Sequence, residues 1–161
     1  MRRKGIAAAC GLGLAACLAA LPVSAAEVTY NFVACGHSRQ TVLEAGPEFT
    51  AIGFEQWGLV ATSTTKEWEN ASTKCVGYLR IVGGRPVGKG VCKWVMAGGD
   101  TAFGEFEYPT SGEPAFTWLF GTGKLKGIQG GGSFKQVSSA RPAEAGTSQS
   151  CRQDWGKYTT P

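Results

Sequence analysis

The stretch Lys74-Cys75-Val76-Gly77-Tyr78-Leu79-Arg80-Ile81-Val82-Gly83-Gly84-Arg85-Pro86-Val87-Gly88-Lys89-Gly90-Val91-Cys92 contains its own register. Gly83-Gly84 is a two-residue hairpin signal between runs rich in β-formers. If these two residues form the turn, Val82 faces Arg85 as a hydrogen-bonded pair. Hydrogen-bonded and non-hydrogen-bonded pairs alternate outward from the turn. Cys75 then faces Cys92 on a non-hydrogen-bonded pair, where Cα atoms lie about 4.5 Å apart and a disulfide fits. Pro86, which has no N–H to give, also falls on a non-hydrogen-bonded position. A slip of one residue would break all three agreements.

The pattern continues outward. Short runs rich in Val, Phe, Tyr, Trp and Thr alternate with Gly, Pro, Asn and Asp clusters, and helical periodicity is missing. Eight strands are predicted: Val28–Cys35, Phe49–Thr62, Lys74–Val82, Val87–Ala97, Thr101–Tyr108, Ala115–Phe120, Gly132–Val137 and Ser150–Tyr158. The second is long enough to bend or bulge at Gly53 or Gly58. Gly36–Glu48 and Ser138–Gln149 read as loops, and Lys124–Gly127 as a short helical turn. A second hairpin with Gly98-Gly99 as its turn places Trp94 opposite Phe103 on one face.

The N-terminus has the three parts of a secretory leader. Arg2, Arg3 and Lys4 precede an apolar stretch from Gly5 to Leu21, and Ser24-Ala25-Ala26 supplies small residues for cleavage. The domain division is therefore 1–26, signal peptide, and 27–161, one β-domain. Leu14-Ala15-Ala16-Cys17 resembles a lipobox, whose cysteine would carry a lipid. The apolar run past Cys17 favours cleavage after Ala26, and no membrane span is expected in the mature chain. The location follows as periplasmic or extracellular, in a bacterial setting.

Loss of Arg2, Arg3 and Lys4 takes Lys plus Arg from 16 to 13 against 12 Asp plus Glu, a mature charge of about +1. No basic cluster remains to attract a polyanion, so a nucleic-acid partner is not expected. Cys10 and Cys17 leave with the leader. An even set remains, Cys35, Cys75, Cys92 and Cys151, and an exported chain makes two disulfides of it. With Cys75 assigned to Cys92, Cys35 pairs with Cys151 and joins the first strand to the last. That bond favours closure into a barrel, with a two-sheet sandwich as the rival. The spacing lacks a Cys-x-x-Cys pair and His37 is the lone histidine, so no metal is expected.

Gly121-Thr122-Gly123-Lys124-Leu125-Lys126-Gly127-Ile128-Gln129-Gly130, followed by Gly131-Gly132-Ser133-Phe134, resembles a G-T-G-K-x-x-G-I-x-G signature. Small secreted bacterial proteins with the allene oxide cyclase-like or dirigent-like β-barrel have such a segment. The resemblance runs from Cys75 to Phe134. It implies an all-β fold: a single antiparallel eight-stranded barrel around a central cavity, here stapled by disulfides. Allene oxide cyclases are isomerases and dirigent proteins steer phenoxy-radical coupling, both without a cofactor of their own. The same glycines do not make a Walker loop, because spacing and following strand are wrong. They read as a tight connection across one barrel end.

Candidate site residues follow from chemistry. Trp68, Trp94, Phe103 and Trp118 are rigid aromatics suited to lining a cavity for a small hydrophobic or aromatic ligand. Trp68 sits in Lys66-Glu67-Trp68-Glu69-Asn70, a segment suited to a barrel mouth. Asn70-Ala71-Ser72 is formally a glycosylation sequon, which a bacterial leader leaves unused. Glu105 and Glu107 flank Phe106 and share a strand face; turned inward, either would be a candidate acid or base. His37 is a weaker candidate base, more simply an exposed loop histidine. Three functions are compatible with these residues. They are an exported binding barrel, a cofactor-independent isomerase or cyclase, and an envelope or host-interaction protein presenting the two loops. Oligomeric state has no signal in the sequence.

Overall fold

The computed structural model describes residues 25–44 and 48–161. The basic start and apolar run of the expected leader, and Cys17, lie outside the described residues. Eight strands follow in chain order: β1 (Glu27–Glu44), β2 (Phe49–Ser63), β3 (Ser72–Val82), β4 (Arg85–Val95), β5 (Thr101–Tyr108), β6 (Ala115–Gly121), β7 (Gln129–Ala140) and β8 (Thr147–Thr159). Each pairs antiparallel with its sequence neighbours, and β8 returns to β1, so the sheet closes as a barrel. Closure removes unpaired edges. Two 3₁₀ turns, Lys66–Trp68 and Gly123–Leu125, are the helical content among the described residues. None of these residues forms a helix long and apolar enough to cross a membrane.

The hairpin register matches the one derived above. Val82 faces Arg85 and Cys75 faces Cys92, with the latter pair disulfide-bonded and their Cα atoms 4.0 Å apart. Gly83 and Gly84 have φ of 57° and 77°, the left-handed pair that a two-residue turn matching strand twist requires. Cys35 faces Cys151 across β1–β8 and forms the second disulfide. Alternation puts the two bonds on opposite faces of the wall. Cys75 and Cys92 point into the barrel, whereas Cys35 and Cys151 point out.

The second hairpin corrects the expectation for Trp94 and Phe103. Trp94 faces Ala102, and Phe103 faces Lys93. The Met96 N–H donates to the Asp100 carbonyl, and Gly99 takes φ of 88° inside the loop. The turn thus has three residues rather than two, with glycine at its left-handed position. One residue of slip changes the face, so Trp94 lies inside and Phe103 outside.

Strand β1 is the larger correction. It continues through Gly36 to Glu44, where a loop was expected. On its far half Ser38 and Gln40 point inward while His37 and Arg39 point outward. From Gly36 to Thr41 neither face is apolar, and Val42 and Leu43 that follow are both exposed, so the hydrophobic alternation that marks a strand is absent there. The expected loop at 138–149 shrinks for the same reason to residues 141–146, because β7 extends to Ala140 and β8 begins at Thr147.

The barrel interior is divided along its axis. The lower end, which carries both strand termini Glu27 and Thr159, is filled. Trp68 swings in from its 3₁₀ turn, fully buried, and stacks on Phe32 at 5.4 Å and Trp118 at 4.7 Å between ring centroids. Trp94, Phe116, Tyr30 and Tyr158 complete this plug. The glycine-rich segment after β6 crosses the same end and buries Leu125 and Ile128 beneath it. The Lys124 backbone N–H donates to the Asp100 carboxylate at 3.2 Å, tying that crossing to the β4–β5 turn.

Candidate functional site

The upper end, toward the Gly83-Gly84 turn, is not filled. A cavity of about 150 Å³ opens there, lined by inward residues of six strands. Its two sides differ in chemistry. Strands β2, β3 and β5 supply Phe54, Leu79, Phe106 and Tyr108, with Gln56 of β2 as the one polar amide on that side. Strands β7, β8 and β1 supply Gln136, Ser148, Ser150, Arg152, Ser38 and Gln40. A volume of this size accommodates a benzene-sized molecule.

Local sequence explains the open space. Phe106 faces Gly90 directly across β4–β5, and Gly90 faces Gly77 across β3–β4. A Cβ at Gly90 would lie 2.6 Å from the Phe106 ring, and one at Gly77 would lie 3.0 Å from it. The two glycines therefore let the ring lie flat over the wall instead of standing across the cavity.

The cavity floor is Arg152. Two residues on, Asp154 points inward as well, because strand positions i and i+2 share a face. Arg152 Nε donates to Asp154 Oδ2 at 3.0 Å. The guanidinium carbon stands 4.9 Å from the centroid of Phe134 and 5.9 Å from that of Phe106, within cation–π range of both rings. Asp154 is 1% exposed, and its Oδ1 has no partner among the described residues. Burial raises its carboxyl above the ordinary aspartate range; the Arg152 charge and hydrogen bond pull the other way, less strongly. Burial likewise raises the Tyr108 phenol at the cavity wall and the Tyr30 phenol below, where the Asp154 charge adds to the effect.

At the rim, Ser38 and Ser148 hydroxyls share a hydrogen bond of 2.6 Å, and Gln40 Nε2 donates to Ser148 at 3.0 Å. These contacts cross the β1–β8 seam where Ser38 and Ser148 face each other. They hold the polar rim in place without using Gln56, Gln136 or Ser150.

The structure distributes the sequence candidates differently from expectation. Trp68, Trp94 and Trp118 are interior, but they fill the lower plug and do not line the upper cavity. The expectation of Trp68 at an open mouth is corrected: its indole closes the end. Phe103 is on the outer wall, tilted against Phe120 and beneath Lys93. Glu105 and Glu107 share its outward face, opposite Phe106 and Tyr108, so neither carboxylate reaches the cavity. His37 is exposed on the outer face of β1, beside the Cys35–Cys151 bond. Among the described residues no three His, Cys, Asp or Glu side chains gather as a metal site.

Arg152, Asp154, Tyr108, Ser38, Gln40, Gln56, Gln136, Ser148 and Ser150 were missed by sequence reasoning. Arg152-Gln153-Asp154 offered one signal: two opposite charges at i and i+2 in a strand whose other positions include Trp155 and Tyr158. Comparison with family models, curated proteins and solved structures returned no match. The fold and cavity alone define the class, a closed eight-stranded barrel with one half packed and one half hollow.

Proposed function

We propose that the protein is an exported β-barrel binding protein that holds a small hydrophobic or aromatic ligand in its upper cavity. The observation that carries this reading is the cavity's amphipathic lining. Phe54, Leu79, Phe106 and Tyr108 offer apolar surface beside a few fixed polar groups, the usual composition of a ligand pocket. Two disulfides and the leader support export, since disulfides persist in oxidising compartments. The relation to allene oxide cyclase-like and dirigent-like barrels is part of the proposal; the closed eight-stranded barrel is what supports it. The test is titration with benzyl alcohol and with benzoate, followed by NMR. Saturable shifts at cavity residues are expected, and Leu79→Trp, which fills the space, should abolish them. Lack of saturable binding of benzyl alcohol, benzoate and benzylamine alike by the unaltered protein overturns the reading.

The isomerase alternative draws less support, because among the described residues no carboxylate lines the cavity and Asp154 sits behind Arg152. A second reading, an envelope or host-interaction protein, is favoured by one observation. The outer wall exposes Trp57, Val76, Tyr78 and Val91 on adjacent strands, with Val76 directly opposite Val91. Such a cluster on a water-facing wall marks an interaction surface. Retention on isolated cell envelopes, lost in a folded Val76→Lys/Val91→Lys variant, is its test.

A further inference from the structure

We propose that the cavity's ligand is a small organic acid, whose carboxylate sits on the Arg152 guanidinium while its compact apolar body lies against Phe54, Leu79, Phe106 and Tyr108. This rests on the binding reading above and narrows it to a ligand class.

Among the described residues Arg152 is the one charged side chain in the cavity lining. Its guanidinium has five N–H donors. One, on Nε, is committed to Asp154. The four on the two terminal nitrogens have no protein partner among the described residues. The head group is nevertheless held in place, between Asp154 on its edge and the Phe134 and Phe106 rings near its face. A planar fork with fixed orientation and open donors is suited to a carboxylate, which accepts two parallel hydrogen bonds.

The sidedness of the cavity orients such a molecule. The apolar body of the wall comes from Phe54, Leu79, Phe106 and Tyr108 on β2, β3 and β5, and the polar lining is continuous over β7, β8 and β1 and ends at Gln56 of β2. Ser150 and Gln136 lie on the same polar side as Arg152 and supply further donors. A cation would meet Arg152 with no lining carboxylate to offset it. A neutral alcohol would leave the charged donors unsatisfied. A cavity of about 150 Å³ limits the body to about the size of one ring.

The test compares three probes of one size and different charge, benzoate, benzyl alcohol and benzylamine, by calorimetric titration of the purified, oxidised protein. Benzoate should bind about tenfold or more tighter than benzyl alcohol, and benzylamine weakest. Arg152→Met/Asp154→Asn removes both charges together, so that no unpaired carboxylate is left buried. It should bring benzoate down to the affinity of benzyl alcohol. Saturable binding of benzyl alcohol equal to or tighter than benzoate overturns the organic-acid inference and leaves the binding reading standing. Lack of saturable binding by all three probes overturns both.

Discussion

Cys35 and Cys151, 116 positions apart in sequence, face each other across the β1–β8 seam with Cα atoms 4.0 Å apart. The bond lies on the outer wall at the one junction that joins the chain's first strand to its last. Closing so long a loop is worth nominally about 4–5 kcal/mol in the chain-entropy model. Cys75 and Cys92 are joined inside the barrel, where both are nearly inaccessible.

The two bonds should therefore differ in accessibility. Under mild reductant, without denaturant, Cys35 and Cys151 should be the pair that alkylates first. Cys75 and Cys92 should react only once the barrel opens. Mass spectrometry of alkylated peptides reads the order; simultaneous labelling of all four would contradict the inside–outside assignment. Cys35→Ala/Cys151→Ala should lower unfolding free energy by about 2–5 kcal/mol in a denaturant titration.

Asp154 sets a pH signature. Its folded pKa is raised by burial, so the folded state holds that proton more tightly than the unfolded chain. Its contribution to stability is then greatest below the unfolded value and is lost as pH rises through the folded value. Relative to Asp154→Asn, the unaltered protein should gain stability on acidification from neutrality toward about pH 4. Thermal denaturation of both across that range measures the difference; parallel profiles would contradict a raised carboxyl.

Gly90 tests the packing that makes the cavity. Glycine in a strand interior ordinarily weakens it, so alanine would help if space allowed. Here the added methyl lies 2.6 Å from the Phe106 ring. Gly90→Ala should destabilise by about 1–3 kcal/mol, as overpacking does. It should also weaken cavity binding, because the ring must leave the wall. Denaturant melts and benzoate titration check both effects; a more stable variant would show that Phe106 does not depend on that glycine.

Two tryptophans separate plug from surface. Trp68 is fully buried and in contact with Phe32 and Trp118, so Trp68→Ala should cost about 3–5 kcal/mol. Trp57 is 38% exposed on the outer wall beside Lys74, and Trp57→Ala should stay within about 1 kcal/mol. Equilibrium unfolding of the two variants measures the contrast; equal costs would contradict the plug.

The sequence determined the wall. Gly83-Gly84, the cysteine spacing and the runs of β-branched and aromatic residues defined the hairpin, both disulfides and the count of eight strands. Each of these signals is local, or depends on distance from a turn, and so survives in one dimension. The segments misread as loops, 36–44 and the approaches to 141–146, are the ones that carry Ser38, Gln40 and Ser148, the rim of the polar side of the cavity. A strand whose inner face meets a polar-lined cavity and whose outer face meets solvent needs no apolar face, and its alternation cannot be read from residue type. Tertiary structure alone decided which end was packed and which was hollow. Closure had to bring Trp68 from a surface turn onto Phe32 and Trp118, and set Arg152 between Asp154 and two rings donated by other strands. Apart from Asp154, two residues from Arg152 on β8, those partners come from different elements of the chain, and only the curvature of the closed sheet places them together.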